Sequence, residues 1–190
     1  MSAKMTLVVG GARSGKSTFA QKLVSDLGMK VTYLATAEAG DGEMSERIRS
    51  HRAARPAQWE TVEIWGSSGP RELPGEMEAA LLDCFTVLLA NLMAAHGLDW
   101  PIEEENLMPE EEVLPRMRRI EDEALERVDA IRLHCRELVV VSNEVGMGLV
   151  PPYRLGRIFR DLAGRLNQGL ATRSDVVLTV IAGLPLYLKS

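Results

Sequence analysis

Short apolar runs alternate with longer amphipathic segments along most of the chain. The apolar runs have the length of β-strands and cover residues 6–9, 31–35, 61–65, 79–83, 138–142 and 176–181. The segments between them have helical spacing and cover residues 16–27, 43–54, 86–95, 116–135 and 153–171. Strands that alternate with helices predict an α/β fold, in which a mostly parallel sheet is flanked by helices. We predict one domain over residues 1–190.

Prolines and glycines interrupt this pattern. Pro56 is expected to end the second helix, since the residue before a proline avoids the helical region. Residues 67–75 are rich in Gly, Ser and Pro and predict a loop, and residues 98–115 contain three prolines and predict a surface excursion. The long helix at residues 116–135 exceeds what a minimal core needs. We therefore expect part of its apolar face to pack on another subunit.

Composition and charge narrow the classes of protein that this sequence could encode. Apolar residues make up 46% of the chain and charged residues 26%, which is typical of a globular protein. No apolar run is long enough for a membrane span, so we expect a cytoplasmic protein. The net charge of −5 argues against broad nucleic-acid binding. Cys84 and Cys135 lack the spacing of a metal or redox pair and are expected to be free thiols.

The first predicted strand runs into the complete GxxxxGK[ST] pattern of a phosphate-binding loop, or P-loop. Glycines let the backbone curl so that its N–H groups surround phosphate oxygens, and the following helix adds partial positive charge at its N-terminus. In this chemistry Lys16 binds the β- and γ-phosphates of ATP or GTP, and the Ser17 hydroxyl is a ligand of Mg²⁺. The predicted nucleotide-binding residues are Gly10, Gly11, Ala12, Arg13, Ser14, Gly15, Lys16 and Ser17. The motif predicts a P-loop NTPase-type, RecA-like fold.

A P-loop site also needs an acidic group at the end of a neighbouring strand. Asp83 closes the predicted strand at residues 79–83 and fits this position, but the same residue would also suit the N-cap of the next helix. Asp175 is a weaker candidate, because it opens a strand instead of ending one. The residues alone leave both interpretations of Asp83 open.

Arg47, His51 and Arg55 are spaced four residues apart, so they fall along one helical stripe if the predicted second helix extends to Arg55. Flanking cations favour a neutral, nucleophilic imidazole. The same arginines would also suit bidentate binding of a phosphate. The alternative interpretation is an ordinary solvated helix face, and the spacing does not decide between them.

Three stretches taken together are more specific than the P-loop alone. They are the P-loop itself, RIRSHRAARP at residues 47–56 with Trp59, and SNEVGMGLVP at residues 142–151. Their order and wording closely resemble the bifunctional adenosylcobinamide kinase/adenosylcobinamide-phosphate guanylyltransferase family of cobalamin biosynthesis. The resemblance continues through FRDLAGRLNQ at residues 159–168 and covers nearly the whole chain, with residues 98–115 as the exception.

The resemblance implies two reactions. In the first, ATP or GTP phosphorylates the hydroxyl of the aminopropanol arm of adenosylcobinamide. In the second, GMP passes from GTP to adenosylcobinamide phosphate, which gives adenosyl-GDP-cobinamide and pyrophosphate. In the family the guanylyl group passes through a covalent histidine intermediate, and the matching residue here is His51. The resemblance also implies a homotrimer.

Further nucleotide contacts are implied by the same resemblance. The matching positions are Ala35, Thr36, Ala37, Arg52, Ala53, Ala54, Arg55, Glu63 and Asp83. Two positions depart from the family pattern, since relatives often carry glutamate in place of Asp83 and some carry a second histidine in place of Ser50. His51 is therefore the only histidine candidate in the predicted helix.

Three alternatives stay open at this point. Asn143 and Glu144 follow a predicted strand and suit a polar wall of the site, or else they belong to a structural turn built around Gly146 and Gly148. The protein could instead be a P-loop kinase of another small alcohol or nucleoside, in which His51 only binds phosphate. A nucleotide-dependent switch or ATPase that acts on a protein partner is the third alternative, and it would form no stable covalent nucleotide adduct.

Overall fold

The computed structural model describes residues 3–36, 55–66, 69–101 and 108–190. The predicted helix at residues 43–54 lies outside the described residues. In chain order the elements are β1 (Lys4–Gly10), α1 (Lys16–Ser25), β2 (Val31–Ala35), β3 (Glu60–Glu63), β4 (Trp65–Gly66), β5 (Gly69–Pro70), β6 (Met77–Asp83), α2 (Phe85–Ala95), α3 (Glu110–Leu133), β7 (Cys135–Asn143), α4 (Arg154–Arg173), β8 (Val176–Ile181) and β9 (Leu184–Lys189). Among these described helices, none has a hydrophobic stretch of the length that spans a membrane.

Seven of the described strands form one sheet in the order β3-β2-β6-β7-β1-β8-β9. The neighbours from β3 to β8 pair in parallel, and β9 pairs with β8 in the antiparallel direction. The strand β7 separates β1, which leads into the P-loop, from β6, which ends at Asp83. The predicted α/β fold of the P-loop type is confirmed.

Each face of the sheet has its own apolar core, because successive side chains of a strand point to opposite faces. The core under α2, α3 and α4 includes Met5, Leu7, Leu82, Leu138 and Val140. The core under α1 includes Val8, Leu81, Val139 and Leu178. Since β1 contributes to both cores, it is buried on both faces, and the loop that follows it starts from a fixed point.

The long helix α3 differs from its prediction in two respects. It begins at Glu110, so Pro115 lies inside it, and residues 110–115 are helical instead of part of a surface excursion. Pro115 lies in the second turn and removes one hydrogen bond of the helix, and three glutamates in the first turn complement the helix dipole. The apolar face is buried in the chain's own core through Val113, Met117, Ile120, Ala124, Val128 and Ile131. The expectation that part of this face packs on another subunit stays a prediction for the apolar side chains of the helix that remain exposed, such as Leu114.

The C-terminal strand β9 was not predicted. It follows β8 through a turn at Ala182 and Gly183, whose φ angles of 52° and 81° are those of a tight hairpin turn. All six of its residues are exposed. A strand that is exposed on both faces has no alternation of apolar and polar residues to reveal it, so the sequence pattern stops at β8.

Arg132 joins three elements where α3 ends. Its guanidinium donates hydrogen bonds to the Ala3 carbonyl (2.7 Å), the Arg173 carbonyl (2.7 Å) and the Asp175 carboxylate (2.9 Å). Asp175 also accepts a hydrogen bond from the Met5 N–H at 2.7 Å. One side chain therefore links the start of β1, the end of α4 and the residue before β8.

We expect Arg132→Met to lower the free energy of unfolding by about 2–4 kcal/mol, because two backbone carbonyls and a carboxylate lose a charged donor. Arg118→Met is the control, since Arg118 is an exposed arginine of the same helix. Urea denaturation of the two variants measures the difference. Equal stability of the two would contradict a linking role for Arg132.

Candidate nucleotide-binding site

The backbone of the P-loop turns tightly, and two of its positions, Gly10 and Gly15, require glycine. A Cβ added to Gly10 would lie 2.5 Å from Ser14 Oγ and 2.8 Å from the carbonyl oxygen of Val180. Gly15 precedes α1 with a φ of 91°, in the left-handed region that favours glycine. Such a curl directs successive N–H groups toward one point, which is the geometry of an anion-binding nest.

Lys16 lies within this curl and is only 8% exposed. Its Nζ donates a hydrogen bond to the Gly11 carbonyl at 3.1 Å. Burial lowers the pKa of the Lys16 ammonium, while the negative charge of Asp83 opposes that shift. Phosphate oxygens that entered the loop would offer this partly desolvated ammonium stronger acceptors than the carbonyl of Gly11.

Ser17 and Asp83 meet across the gap between α1 and β6. The Ser17 hydroxyl donates a hydrogen bond to Asp83 Oδ1 at 3.2 Å. The N-cap of α2 is Cys84, without a side-chain capping bond, so the capping interpretation of Asp83 was wrong. Asp175 hydrogen-bonds to the Met5 N–H at the opposite edge of the sheet, which removes it as a candidate.

The same pair of oxygens fits a Mg²⁺ ion shared with nucleotide phosphates. Neighbouring ligands of an octahedral Mg²⁺ ion lie about 2.9 Å apart, since each metal–oxygen distance is about 2.0–2.1 Å. The separation of 3.2 Å between Ser17 Oγ and Asp83 Oδ1 is close to that value. A hydroxyl, a carboxylate and phosphate oxygens form the hard oxygen donor set that Mg²⁺ prefers.

The carboxyl ends of the parallel strands bring several predicted contact residues to one edge. Glu63 at the end of β3 is in register with Ala35, and Ala35 is in register with Asp83. On the other side of β7, Gly10 is in register with Asn143. Ligands of parallel sheets bind at this edge. The register therefore places Glu63, Ala35 and Asp83 along one row that leads toward the P-loop.

Thr36 and Glu63 are held by different partners. Thr36 is fully buried, its Oγ1 donates to the Cys84 carbonyl at 2.9 Å, and its own carbonyl accepts from Asn91 Nδ2 at 2.8 Å. Glu63 is more exposed and accepts a hydrogen bond from Arg71 Nη1 at 2.7 Å. Thr36 therefore joins the end of β2 to Cys84, the residue that follows β6. Glu63 lies nearer the protein surface.

Arg55 is placed beside this row by an aromatic contact. Its guanidinium carbon lies 3.3 Å from the centre of the Tyr33 ring, and its Nη1 donates to Thr61 Oγ1 at 3.4 Å. The Tyr33 hydroxyl in turn donates to the Asp83 carbonyl at 3.0 Å. Burial raises the pKa of Tyr33, and Asp83 adds to that shift, so the hydroxyl remains a donor. Arg55 is thus connected through Tyr33 to the end of β6.

A polar network around Asn143 was not predicted in this form. Asn143 Nδ2 donates to Thr86 Oγ1 at 2.6 Å, and its carbonyl accepts from Asn167 Nδ2 at 3.1 Å. Glu144 instead accepts the Gly146 N–H at 2.6 Å. Asn143 therefore joins the end of β7 to α2 and α4, and Glu144 forms the structural turn. No short-range pattern could reveal contacts between residues so far apart in sequence.

Two neighbouring segments hold the P-loop backbone from outside. The Glu144 N–H donates to the Gly10 carbonyl at 3.0 Å, and the Gly183 N–H donates to the Ser14 carbonyl at 2.8 Å. A Cβ on Gly15 would lie 3.2 Å from the Cα of Gly183. The turn between β8 and β9 is therefore part of the site, and it was missed because β9 itself was missed.

The remaining predicted site residues lie outside the part of the chain that the structure describes. They are Ala37, Arg47, His51, Arg52, Ala53 and Ala54. Their predicted roles as nucleotide contacts, and the role of His51 as nucleophile, stay predictions.

Comparison with known proteins extends over nearly the whole chain. Residues 6–188 match the CobU family, described as cobinamide kinase / cobinamide phosphate guanyltransferase. The bifunctional adenosylcobalamin biosynthesis protein CobU of Salmonella typhimurium is 40% identical over 188 residues, which cover 97% of this chain and 99% of that protein. Its Escherichia coli namesake is 38% identical over 193 residues, with the same coverage. The protein CobP of Pseudomonas aeruginosa is 40% identical over 186 residues, which cover 96% of each chain.

We expect Gly10→Ala to weaken binding of ATP and GTP by about ten- to a hundredfold, because the added methyl group overpacks the loop against backbone that cannot move freely. Isothermal titration calorimetry measures the change in Kd. Gly164→Ala is the control, since a Cβ at Gly164 in α4 meets nothing within 4 Å. Unchanged affinity of the Gly10→Ala protein would contradict this account of the loop.

Proposed function

The chain belongs to the cobinamide kinase / cobinamide phosphate guanyltransferase family, and we propose how its residues serve the two reactions. It is a bifunctional enzyme of adenosylcobalamin biosynthesis that phosphorylates cobinamide and then transfers a guanylyl group to cobinamide phosphate. The observation that carries the proposal is the Ser17–Asp83 hydrogen bond beside the buried Lys16. These three side chains are the groups that a triphosphate with Mg²⁺ requires.

In the kinase step, the P-loop binds the triphosphate of ATP or GTP. The hydroxyl of the aminopropanol arm of adenosylcobinamide attacks the γ-phosphorus and releases its proton to solvent. The bond from that phosphorus to the bridging oxygen breaks, and ADP or GDP leaves. Lys16 and the N–H groups of the loop stabilise the negative charge on the transferred group. Ser17 and Asp83 would hold Mg²⁺, which supplies further charge neutralisation when bound.

In the transferase step, His51 is the nucleophile. A ring nitrogen of His51 attacks the α-phosphorus of GTP, a P–N bond forms, and pyrophosphate leaves. A phosphate oxygen of adenosylcobinamide phosphate then attacks the same phosphorus, the P–N bond breaks, and adenosyl-GDP-cobinamide is released. Because the acceptor and pyrophosphate are both anions, they repel each other at the α-phosphorus. The covalent intermediate lets pyrophosphate leave before the acceptor attacks.

Two observations support this role for His51. The residues 47–56 that contain it match the family's motif. Arg55, which follows His51 by four residues in sequence, contacts Tyr33 and is connected through it to the strand end that carries Asp83. An arginine in this place would also suit binding of the GTP phosphates.

We further propose a homotrimer located in the cytoplasm. The resemblance to the family favours the trimer, and the exposed edge strand β9 offers apolar surface that suits a subunit contact. Its large exposed side chains are Leu184, Leu186, Tyr187 and Leu188. Light scattering should give three times the 20.9 kDa mass of one chain. A monomer at micromolar concentration would rule the trimer out.

We expect His51→Ala to lose guanylyl transfer while keeping phosphorylation of adenosylcobinamide, because Lys16, Ser17 and Asp83 remain. GTP labelled at the α-phosphate should tag the wild-type protein with an adduct that is labile in acid and stable in base, as a phosphoramidate is. GTP labelled at the γ-phosphate should leave no tag. Undiminished α-labelling of the His51→Ala protein would disprove the assignment.

Three further variants make this test specific. Lys16→Ala should lose both activities by orders of magnitude, since both steps bind a triphosphate in the same loop. His96→Ala and His134→Ala should label normally, because His96 pairs with Glu123 at 2.9 Å and His134 with the Ala130 carbonyl at 2.8 Å, away from the P-loop. Equal loss of both activities in a folded His51→Ala protein would mean that His51 binds nucleotide instead of attacking it.

A further inference from the structure

A charge-free loop with exposed apolar side chains follows β7. Residues 145–153, with the sequence VGMGLVPPY, contain no ionisable group other than a tyrosine. Met147 is 92% exposed, Leu149 is 97% exposed and Val150 is 64% exposed. A cluster of large apolar side chains that stands this far out of the core is typical of a binding surface. Neither of the roles proposed above uses these residues.

Both ends of this loop are fixed by hydrogen bonds. At its start, the Gly146 N–H donates to the Glu144 carboxylate at 2.6 Å. At its end, Arg157 Nη1 donates to the carbonyls of Pro151 at 3.2 Å and Pro152 at 2.7 Å. Residues 147–150 therefore lie between two fixed ends. A ligand that binds them costs less conformational entropy than a ligand that binds a loop without such support.

The loop begins beside the P-loop. The Glu144 N–H donates to the Gly10 carbonyl at 3.0 Å, and Asn143 is in register with Gly10. The strand β7 lies between β1 and β6, so the loop leaves the sheet between the P-loop and Asp83. A molecule that accepts the γ-phosphoryl group must approach this same edge, since ligands of parallel sheets bind at the carboxyl ends of the strands.

We propose that residues 147–150 form a contact surface for the corrin ring of adenosylcobinamide. This rests on the proposed function, because it concerns the acceptor of the same phosphoryl transfer. A corrinoid is a large ring with methyl groups and uncharged amides on its rim, so a neutral apolar surface beside the phosphate site suits it. The triphosphate itself is anionic and is matched by the P-loop and Lys16. The loop therefore serves the acceptor and not the nucleotide.

The double variant Met147→Ser/Leu149→Ser tests this proposal. Loss of two apolar contacts should raise the KM for adenosylcobinamide in the kinase step by about tenfold or more, and the KM for ATP should stay within about twofold. Equilibrium dialysis of adenosylcobinamide, followed by its visible absorbance, should show the same loss of affinity without any turnover. A merely structural defect would change both substrates together.

Leu133→Ser is the matched control. Leu133 is 77% exposed at the end of α3, just before the amino end of β7. The control therefore replaces an exposed leucine by serine at the opposite edge of the sheet from the P-loop. It should leave both KM values unchanged.

Two results would overturn the proposal. One is an unchanged dialysis Kd for adenosylcobinamide in the double variant. The other is a lower molar mass by light scattering together with an equal loss of affinity for adenosylcobinamide and for ATP. That result would assign the loop to a contact between copies of the chain. A wild-type protein that binds adenosylcobinamide but does not phosphorylate it would refute the kinase assignment alone, and the dialysis comparison would still decide the role of the loop.

Discussion

The nucleotide-binding site depends on the tight backbone turn of the P-loop, which has no room for a side chain at Gly10 and needs a left-handed backbone at Gly15. Gly10 lies against Ser14 Oγ and the Val180 carbonyl, and Gly15 has a left-handed φ. A flexible chain would lose this curl to conformational entropy, but β1 is buried on both faces and enters the loop from a fixed direction. Hydrogen bonds from Glu144 and Gly183 hold the two sides of the loop. The sheet thus supplies the rigidity that the glycines themselves lack.

Charge at this site is balanced before any nucleotide arrives. Burial disfavours the charged form of Lys16, and Asp83 favours it. The hydrogen bond from Ser17 to Asp83 holds two oxygens in place at the same edge. A bound Mg²⁺ ion would replace that hydrogen bond, and phosphate oxygens would replace the Gly11 carbonyl as partner of Lys16. Little reorganisation is then needed on binding, which is the condition for electrostatic stabilisation of a transition state.

Much of the sheet and the P-loop could be predicted, because their signals are local. The bounds of β2 and β8 follow from short apolar runs, and the loop follows from spacing alone. What could not be predicted depends on residues far apart in sequence or on elements without a pattern. The contact of Arg55 with Tyr33 and the hydrogen bond of Asn143 to Thr86 belong to the first kind. The strand β9 and the helical turns around Pro115 belong to the second.

One P-loop in a bifunctional enzyme has to serve chemistry at two phosphorus atoms. In P-loop proteins the loop and its lysine surround the β- and γ-phosphates, so residues 10–17 suit transfer of the γ-phosphoryl group. Attack at the α-phosphorus needs a nucleophile from elsewhere in the chain. Thr36 is fixed to the Cys84 carbonyl, and Arg55 is connected to the Asp83 carbonyl through Tyr33. The segment between them in sequence, which contains His51, therefore leaves from and returns to the edge of the sheet where the triphosphate is proposed to bind. A nucleophile at His51, as proposed above, would serve the transferase step without altering the groups that serve the kinase step.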